Sequence, residues 1–286
     1  MGTEYKFHAV DLGCRESIET LRHRFCHTLS AHAFVSLYLW QEAFGLTVCV
    51  HENAFFVRCL EKGEQAYFFP CGDERAILEF VEQLLSQPGA SLCYIRQQDK
   101  AFLEQHFPGR FSFTETPEDS EYIYRRETQI TLPGGAFRNL RAKIHKARDR
   151  RQWQISELTK ETLCVAETVT RRWSEARQET ADLAVILKAL EQYENLGFQG
   201  ILLEDENGPQ AVAFGSMITE DTFDLHVTKT LLPSVDSYLK WELYSRLPGS
   251  VLWINQEEDL GIPGLRTNKI ESGPEVIVPL WKGVLR

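Results

Sequence analysis

Hydrophobic and polar positions along the chain change period repeatedly, and each change marks an element. Over Arg75–Leu85 the apolar residues Ile77, Leu78, Phe80, Val81, Leu84 and Leu85 recur at helical spacing. Ser17–Leu29, the aromatic-rich Phe34–Phe44 and Lys100–Phe107 also predict helices. Leu46–Leu60 alternates around Glu52-Asn53 and predicts a hairpin. Ala66–Pro70, Ser91–Ile95 and Arg110–Thr114 predict strands.

The polar segment Thr116–Ser120 interrupts the pattern, and after Tyr122-Ile-Tyr124 it begins again. Phe137–Ala147 predicts a basic helix, Trp153–Leu158 a strand, and Glu161–Arg177 and Leu183–Leu196 two longer helices. Gly200–Leu203, Gln210–Ile218 and Thr222–Thr228 predict a three-stranded meander, the first two joined by the turn-rich Glu204–Gly208. A helix over Asp236–Leu247 follows, then strands over Val251–Ile254 and Glu275–Leu280. The recipe is α+β and appears in both halves. It predicts two similar domains, residues 1–117 and 118–286.

Composition narrows the partners. A chain of 286 residues with 43% hydrophobic content can fill two cores. A net charge of -10 repels nucleic acid and anionic membranes except where positive charge is concentrated. Seven cysteines without a CxxC pair read as reduced core thiols. No basic and apolar leader opens the sequence and no apolar run reaches 18 residues, so the expected location is cytoplasmic.

Three segments carry a family resemblance. Phe34-Val-Ser-Leu-Tyr-Leu-Trp40 resembles an F-x-N-L-Y-x-W stretch, with Ser36 in place of Asn. Thr222–Lys229 resembles a strand ending in lysine. Asn255–Lys269 matches N-x-E-x-D-L-G-x-x-G-L-R-x-x-K without a gap. These are similar to the DUF2156 family, grouped with the C-terminal domain of phosphatidylglycerol lysyltransferases. The resemblance implies two tandem GNAT-like domains related to the Fem aminoacyl transferases. The chain departs from the family at Asp236-Ser237, before a retained Tyr238, and at Glu271-Ser272.

In such a domain the strands over 222–228 and 251–254 run parallel and splay, and an acyl donor sits in the gap. Acyl transfer needs a base, oxyanion donors and an acid for the leaving group. Glu257 or Asp259 can serve as base or as ammonium anchor, and Asn255 and Lys229 can serve the oxyanion. Arg266 and Lys269 can bind a phosphate and Tyr238 can line the site. The alternative is structural: Glu257 and Asp259 cap the following helix or pair with Arg266 and Lys269. The place of a glycine-rich pyrophosphate loop reads Thr230-Leu-Leu-Pro-Ser-Val-Asp236, which weakens acyl-CoA as donor and slightly favours an aminoacyl-tRNA or an unusual ligand.

Residues 138–151 carry seven Lys or Arg against one Asp. Phe137, Leu140, Ile144 and Ala147 make an apolar stripe, and Arg138, Arg141 and Lys143 join a basic surface for tRNA phosphates or another phosphate-bearing ligand. A solvated amphipathic helix is the plainer reading. His23, His27 and His32 lack a carboxylate at metal-ligand spacing, so no metal is expected, and His226 reads as a core histidine. No G-x-S-x-G, P-loop or H-E-x-x-H occurs. The reading is an acyl- or aminoacyl-transferase acting on an amine or hydroxyl. Its rivals are a non-catalytic ligand-binding protein that keeps the fold, and nucleic-acid binding through 138–151 alone.

Overall fold

A computed structural model describes residues 5–61, 63–87, 89–178 and 182–286. They form two compact units. One runs to Glu121 and takes in Val278–Arg286; the other is Tyr122–Ile277.

In the first unit, helices α1 (Arg15–Arg24) and α2 (Phe34–Phe44) precede a meander of β1 (Thr47–His51), β2 (Ala54–Glu61) and β3 (Glu64–Phe68). The short β4 (Cys71–Gly72), α3 (Glu74–Leu84), β5 (Ser91–Ile95), α4 (Gln97–His106) and β6 (Phe111–Glu115) follow. The helical period over 75–85 is realised in α3, where Asp73 caps the first turn through the Ala76 amide and Ile77, Phe80, Val81 and Leu84 are buried. β5 pairs parallel with β3.

In the second unit, β7 (Glu121–Arg125), α5 (Arg126–Thr131), α6 (Arg138–Asp149) and β8 (Gln154–Glu157) lead to α7 (Leu163–Arg177), α8 (Leu183–Glu191) and α9 (Tyr193–Leu196). A meander of β9 (Gln199–Asp205), β10 (Gly208–Met217) and β11 (Thr222–Thr230) comes next, then α10 (Asp236–Arg246), β12 (Trp253–Asn255), α11 (Pro263–Glu271) and β13 (Val276–Val278). The sheet order is β13-β7-β12-β11-β10-β9-β8. The apolar stripe of α6 packs as its spacing predicts: Ile144 and Ala147 are buried in a core with Phe223, Leu225, Leu239 and Leu243, and Phe137 and Leu140 lie against it.

The final strand, β14 (Trp281–Leu285), lies between β5 and β6 in the first sheet. The expected division at 117/118 therefore needs correction at its far end. Trp281–Leu285 pair with β5 and β6 of the first unit, whereas the sequence pattern assigned them to the second. The helix expected over 183–196 is broken at Gln192, which separates α8 from α9. Among the described residues, no helix is long and apolar enough to cross a membrane.

Candidate functional site at the parting of two parallel strands

β11 and β12 pair parallel over three positions only: Thr222 with Trp253, Phe223 with Ile254, and Asp224 with Asn255. β11 then runs on to Thr230, while the other chain turns away after Asn255. The parallel ladder thus ends at Asp224 and Asn255, which leaves a gap in the pairing beyond them.

A β-bulge sets which side chains face this gap. Phe214 pairs with Val227 and Ser216 with Asp224, so Leu225 and His226 both lie opposite Gly215. The extra residue resets the alternation, and His226 joins Val227 on the face shared with Phe214 and Ser216. Only glycine permits the approach, because a Cβ at position 215 would lie 1.9 Å from the Asp224 carbonyl oxygen.

His226 lies at the centre of a polar line. Its Nε2 is 2.8 Å from Ser216 Oγ and its Nδ1 is 2.8 Å from Glu257 Oε1. An ionised carboxylate only accepts, so Nδ1 carries the proton in that bond. Asp224 Oδ2 lies 3.7 Å from the same Nδ1. Burial opposes charge on the ring, but Asp224 and Glu257 outweigh it and raise the His226 pKa above the usual imidazole value.

The segment after β12 is built to present Glu257. Asn255 is fully buried, and its Oδ1 accepts the Glu257 N–H at 2.7 Å. Glu257 has φ 58°, a left-handed conformation that costs a non-glycine residue about 1 kcal/mol or more. Its carbonyl accepts from the Tyr122 N–H at 3.3 Å and from Lys269 Nζ at 3.1 Å.

The other charged residues of the signature hold this segment. Lys269 donates to the carbonyls of Gln256, Glu257 and Glu258, which takes up all three of its N–H groups. Burial lowers its pKa to about 8, against the pull of Glu257, Glu258 and Asp259. Asp259 accepts from Tyr122 Oη at 2.6 Å, the Gly261 N–H at 2.9 Å, and Arg266 Nε and Nη2 at 2.7 and 3.0 Å. Burial raises the Asp259 pKa, but Arg266, Tyr122 and the Gly261 amide together hold it below the usual carboxylate range. Four donors fill its lone pairs, so it has no acceptor left for a substrate proton. Asp259, Arg266 and Lys269 are thus engaged within the turn itself.

The remaining expected site residues lie elsewhere. Lys229 is three residues, roughly 10 Å, beyond His226 along β11. It is paired with Asp182 and lies 3.6 Å from the Trp173 ring centroid. Tyr238 is buried on α10 in the core between Trp153 and Trp241. Arg138 is exposed, Arg141 donates to the carbonyls of Leu132 and Gly134, and Lys143 pairs with Glu271 at 2.9 Å. Near the end of α6, a cleft of about 350 Å³ is lined by Lys146, Arg150, Arg151, Trp153, Leu232 and Ser234. It lies against the glycine-free 230–236 segment.

Ser216 and His226 were not legible as site residues. Strand alternation made His226 a core position, and only Gly215 hints at the bulge that overrides it. Among the described residues, Asp224, His226 and Glu257 alone bring three metal-ligating groups together. The 2.8 Å between Nδ1 and Oε1 is shorter than the roughly 3.3 Å separating two ligands about 2.0–2.1 Å from a tetrahedral ion. As they stand, the side chains are joined as a hydrogen-bonded network.

Two mixed sheets flanked by helices, the second with a bulged strand that parts from a parallel neighbour, make a tandem GNAT-like fold. Residues 22–281 match the family described as "Phosphatidylglycerol lysyltransferase, C-terminal", and the chain belongs to that family. No curated protein matches it in sequence. In fold it resembles a conserved protein of unknown function from Bacteroides thetaiotaomicron VPI-5482. The TM-score is 0.91 at 24% identity, over 99% of this chain and 100% of that one. L-PGS from Bacillus licheniformis aligns with a TM-score of 0.66 at 14% identity, over 100% and 93% of the two chains. FemX aligns with a TM-score of 0.63 at 7% identity, over 96% of each.

Proposed function

We propose that the chain transfers an acyl or aminoacyl group to an amine or hydroxyl acceptor. The observation that carries this reading is the strained Glu257, hydrogen-bonded to His226 where β11 and β12 part. Backbone strain of this kind persists where the surrounding structure over-determines it, as the Asn255 and Lys269 bonds do here. Glu257 acts as the base that takes the acceptor's proton. Asn255, fully buried and bonded to the Glu257 amide, acts through the shape of the turn. The cleft beside the glycine-free segment, where Lys146 and Arg150 stand beside an Arg151 paired with Asp205 and Glu206, supports a polyanionic donor held by side chains, an aminoacyl-tRNA before acyl-CoA. The family description names lysyl transfer to phosphatidylglycerol, which is chemistry of this class.

One observation favours a second reading. Asp259, Arg266 and Lys269, the charged core of the signature, are all engaged internally. A ligand-binding protein that keeps the fold without turnover needs nothing more from them. Labelled aminoacyl-tRNAs and acyl-CoAs, offered with amine and hydroxyl acceptors including phosphatidylglycerol vesicles, separate the two. Transfer is expected, and Glu257→Gln should slow it ~10²–10⁴-fold without loss of circular dichroism. Donor-induced thermal shifts with no product from any pair would establish the binding protein instead.

A further inference from the structure

Ser216, His226 and Glu257 form one hydrogen-bonded line at the parting of β11 and β12, and the transferase reading gives the first two no role. The line has an open end and a closed one. The Glu257 side chain is 22% exposed, that of His226 6%, and Ser216 is buried. An imidazole bound at both nitrogens and shut in the sheet has no atom free for a substrate. Glu257 Oε1 is held by His226, and Oε2 carries no hydrogen bond among the described residues.

The usual catalytic order, in which a buried carboxylate orients an imidazole that serves an exposed hydroxyl, is inverted here. The hydroxyl is innermost and the carboxylate faces outward. We infer that His226 is a positioning residue for Glu257. By donating Nδ1–H to Oε1 it holds the carboxylate in one orientation, while Ser216 fixes the ring through Nε2. Around the ring stand Asp224 of its own strand, Ser216 of β10, Glu257 and Glu258 of the turn after β12, and the Phe198 ring with centroids 5.6 Å apart. Asp224, Glu257 and Glu258 are all carboxylates, so His226 keeps its proton while Glu257 works.

This inference rests on the transferase reading. In that reaction the acceptor nitrogen or oxygen bonds to the acyl carbon and the donor's C–O bond breaks. The acceptor's proton passes to Glu257 and from there to the leaving oxygen. Glu257 ends ionised, as it began, and His226 does not change its protonation.

The His226 ring can be titrated by NMR in the wild-type chain and in Glu257→Gln. The midpoint should fall by about one pH unit or more when the carboxylate is removed. An unchanged midpoint overturns the inference, even if transfer itself depends on Glu257. In turnover, His226→Ala should lower kcat ~10²-fold with KM nearly unchanged, and should move the acid limb of the pH–rate profile upward. His226→Asn, which keeps an N–H near the Nδ1 position, should recover most of both effects. Equal losses in the two variants with an unmoved limb would mark a merely structural residue. A linked titration alongside a fully active Glu257→Gln would instead remove Glu257 from the reaction, and the transferase reading of this site with it.

Discussion

Each unit places a strand parallel to the last strand of its meander, and the two parallel pairs end differently. β3 and β5 pair at Ala66 with Ser91, Tyr67 with Leu92 and Phe68 with Cys93, and the ladder continues as the Phe69 N–H donates to the Cys93 carbonyl at 2.9 Å. The buried His32 closes that end by bonding the Phe69 carbonyl through Nε2, at 2.9 Å. Its neighbour His27 packs against it with ring centroids 4.0 Å apart and the rings tilted by 38°. Neither ring has a carboxylate partner among the hydrogen bonds and ion pairs of the described residues, and burial lowers both pKa values, that of His32 to about 3. β11 and β12 stop pairing at Asp224 and Asn255, and His226, held between carboxylates, is shifted the opposite way. One architecture thus has a pair sealed by backbone and neutral rings, and a pair opened for ionised side chains.

Changes that erase this contrast should be the most costly. Histidine titration gives the largest effect on the first pair. A neutral His32 with its folded pKa depressed to about 3 contributes stability present above the unfolded value of about 6.5 and lost as pH falls towards 3. That loss is on the order of 4 kcal/mol. His226, raised when folded, contributes stability that is full below about 6.5 and lost as pH rises through its folded value. Urea melts of His32→Phe and His226→Phe against wild type should give difference curves of opposite slope. Slopes of the same sign would break the comparison.

Gly215→Ala tests the bulge. With a Cβ 1.9 Å from the Asp224 carbonyl oxygen, β10 and β11 must shift, and a loss of about 3 kcal/mol is expected in urea unfolding. Asp259→Asn removes charge from a buried group with four donors and should cost about 2 kcal/mol. If hydrogen exchange at the Glu257 amide is unaffected by that change, the Asp259 network is not what holds the turn. The smallest effect is expected outside both pairs: Lys143→Ala breaks an exposed pair with Glu271 and should leave the melting temperature within scatter.

Local elements were legible because their signals are local. Phe34–Phe44 and the meander follow from periods of 3.6 and 2, and the Gly-rich turn after Asn255 follows from residue types. β14 was missed because Trp281–Leu285 finds its partners at 91–95 and 111–115, a separation that no sequence window spans. α5 was missed because Arg126–Thr131 is short and largely polar. Within the site, Glu257 was named because carboxylates after a strand invite attention. His226 and Ser216 were hidden because parity along a strand predicts facing only where no residue is added. Asp259, Arg266 and Lys269 show the converse: charge density drew attention to them, but their hydrogen bonds hold the turn together.

The position of β14 has a consequence for the order of events during synthesis. A ribosome releases the strands of the first sheet early, yet β5 and β6 meet β14 only after the whole of 122–277 has been made. Until then both edges that will flank it are unpaired and open to other chains. The first unit to emerge is thus the last to be finished, and a chaperone that shields those edges would act during the longest delay in the chain's assembly.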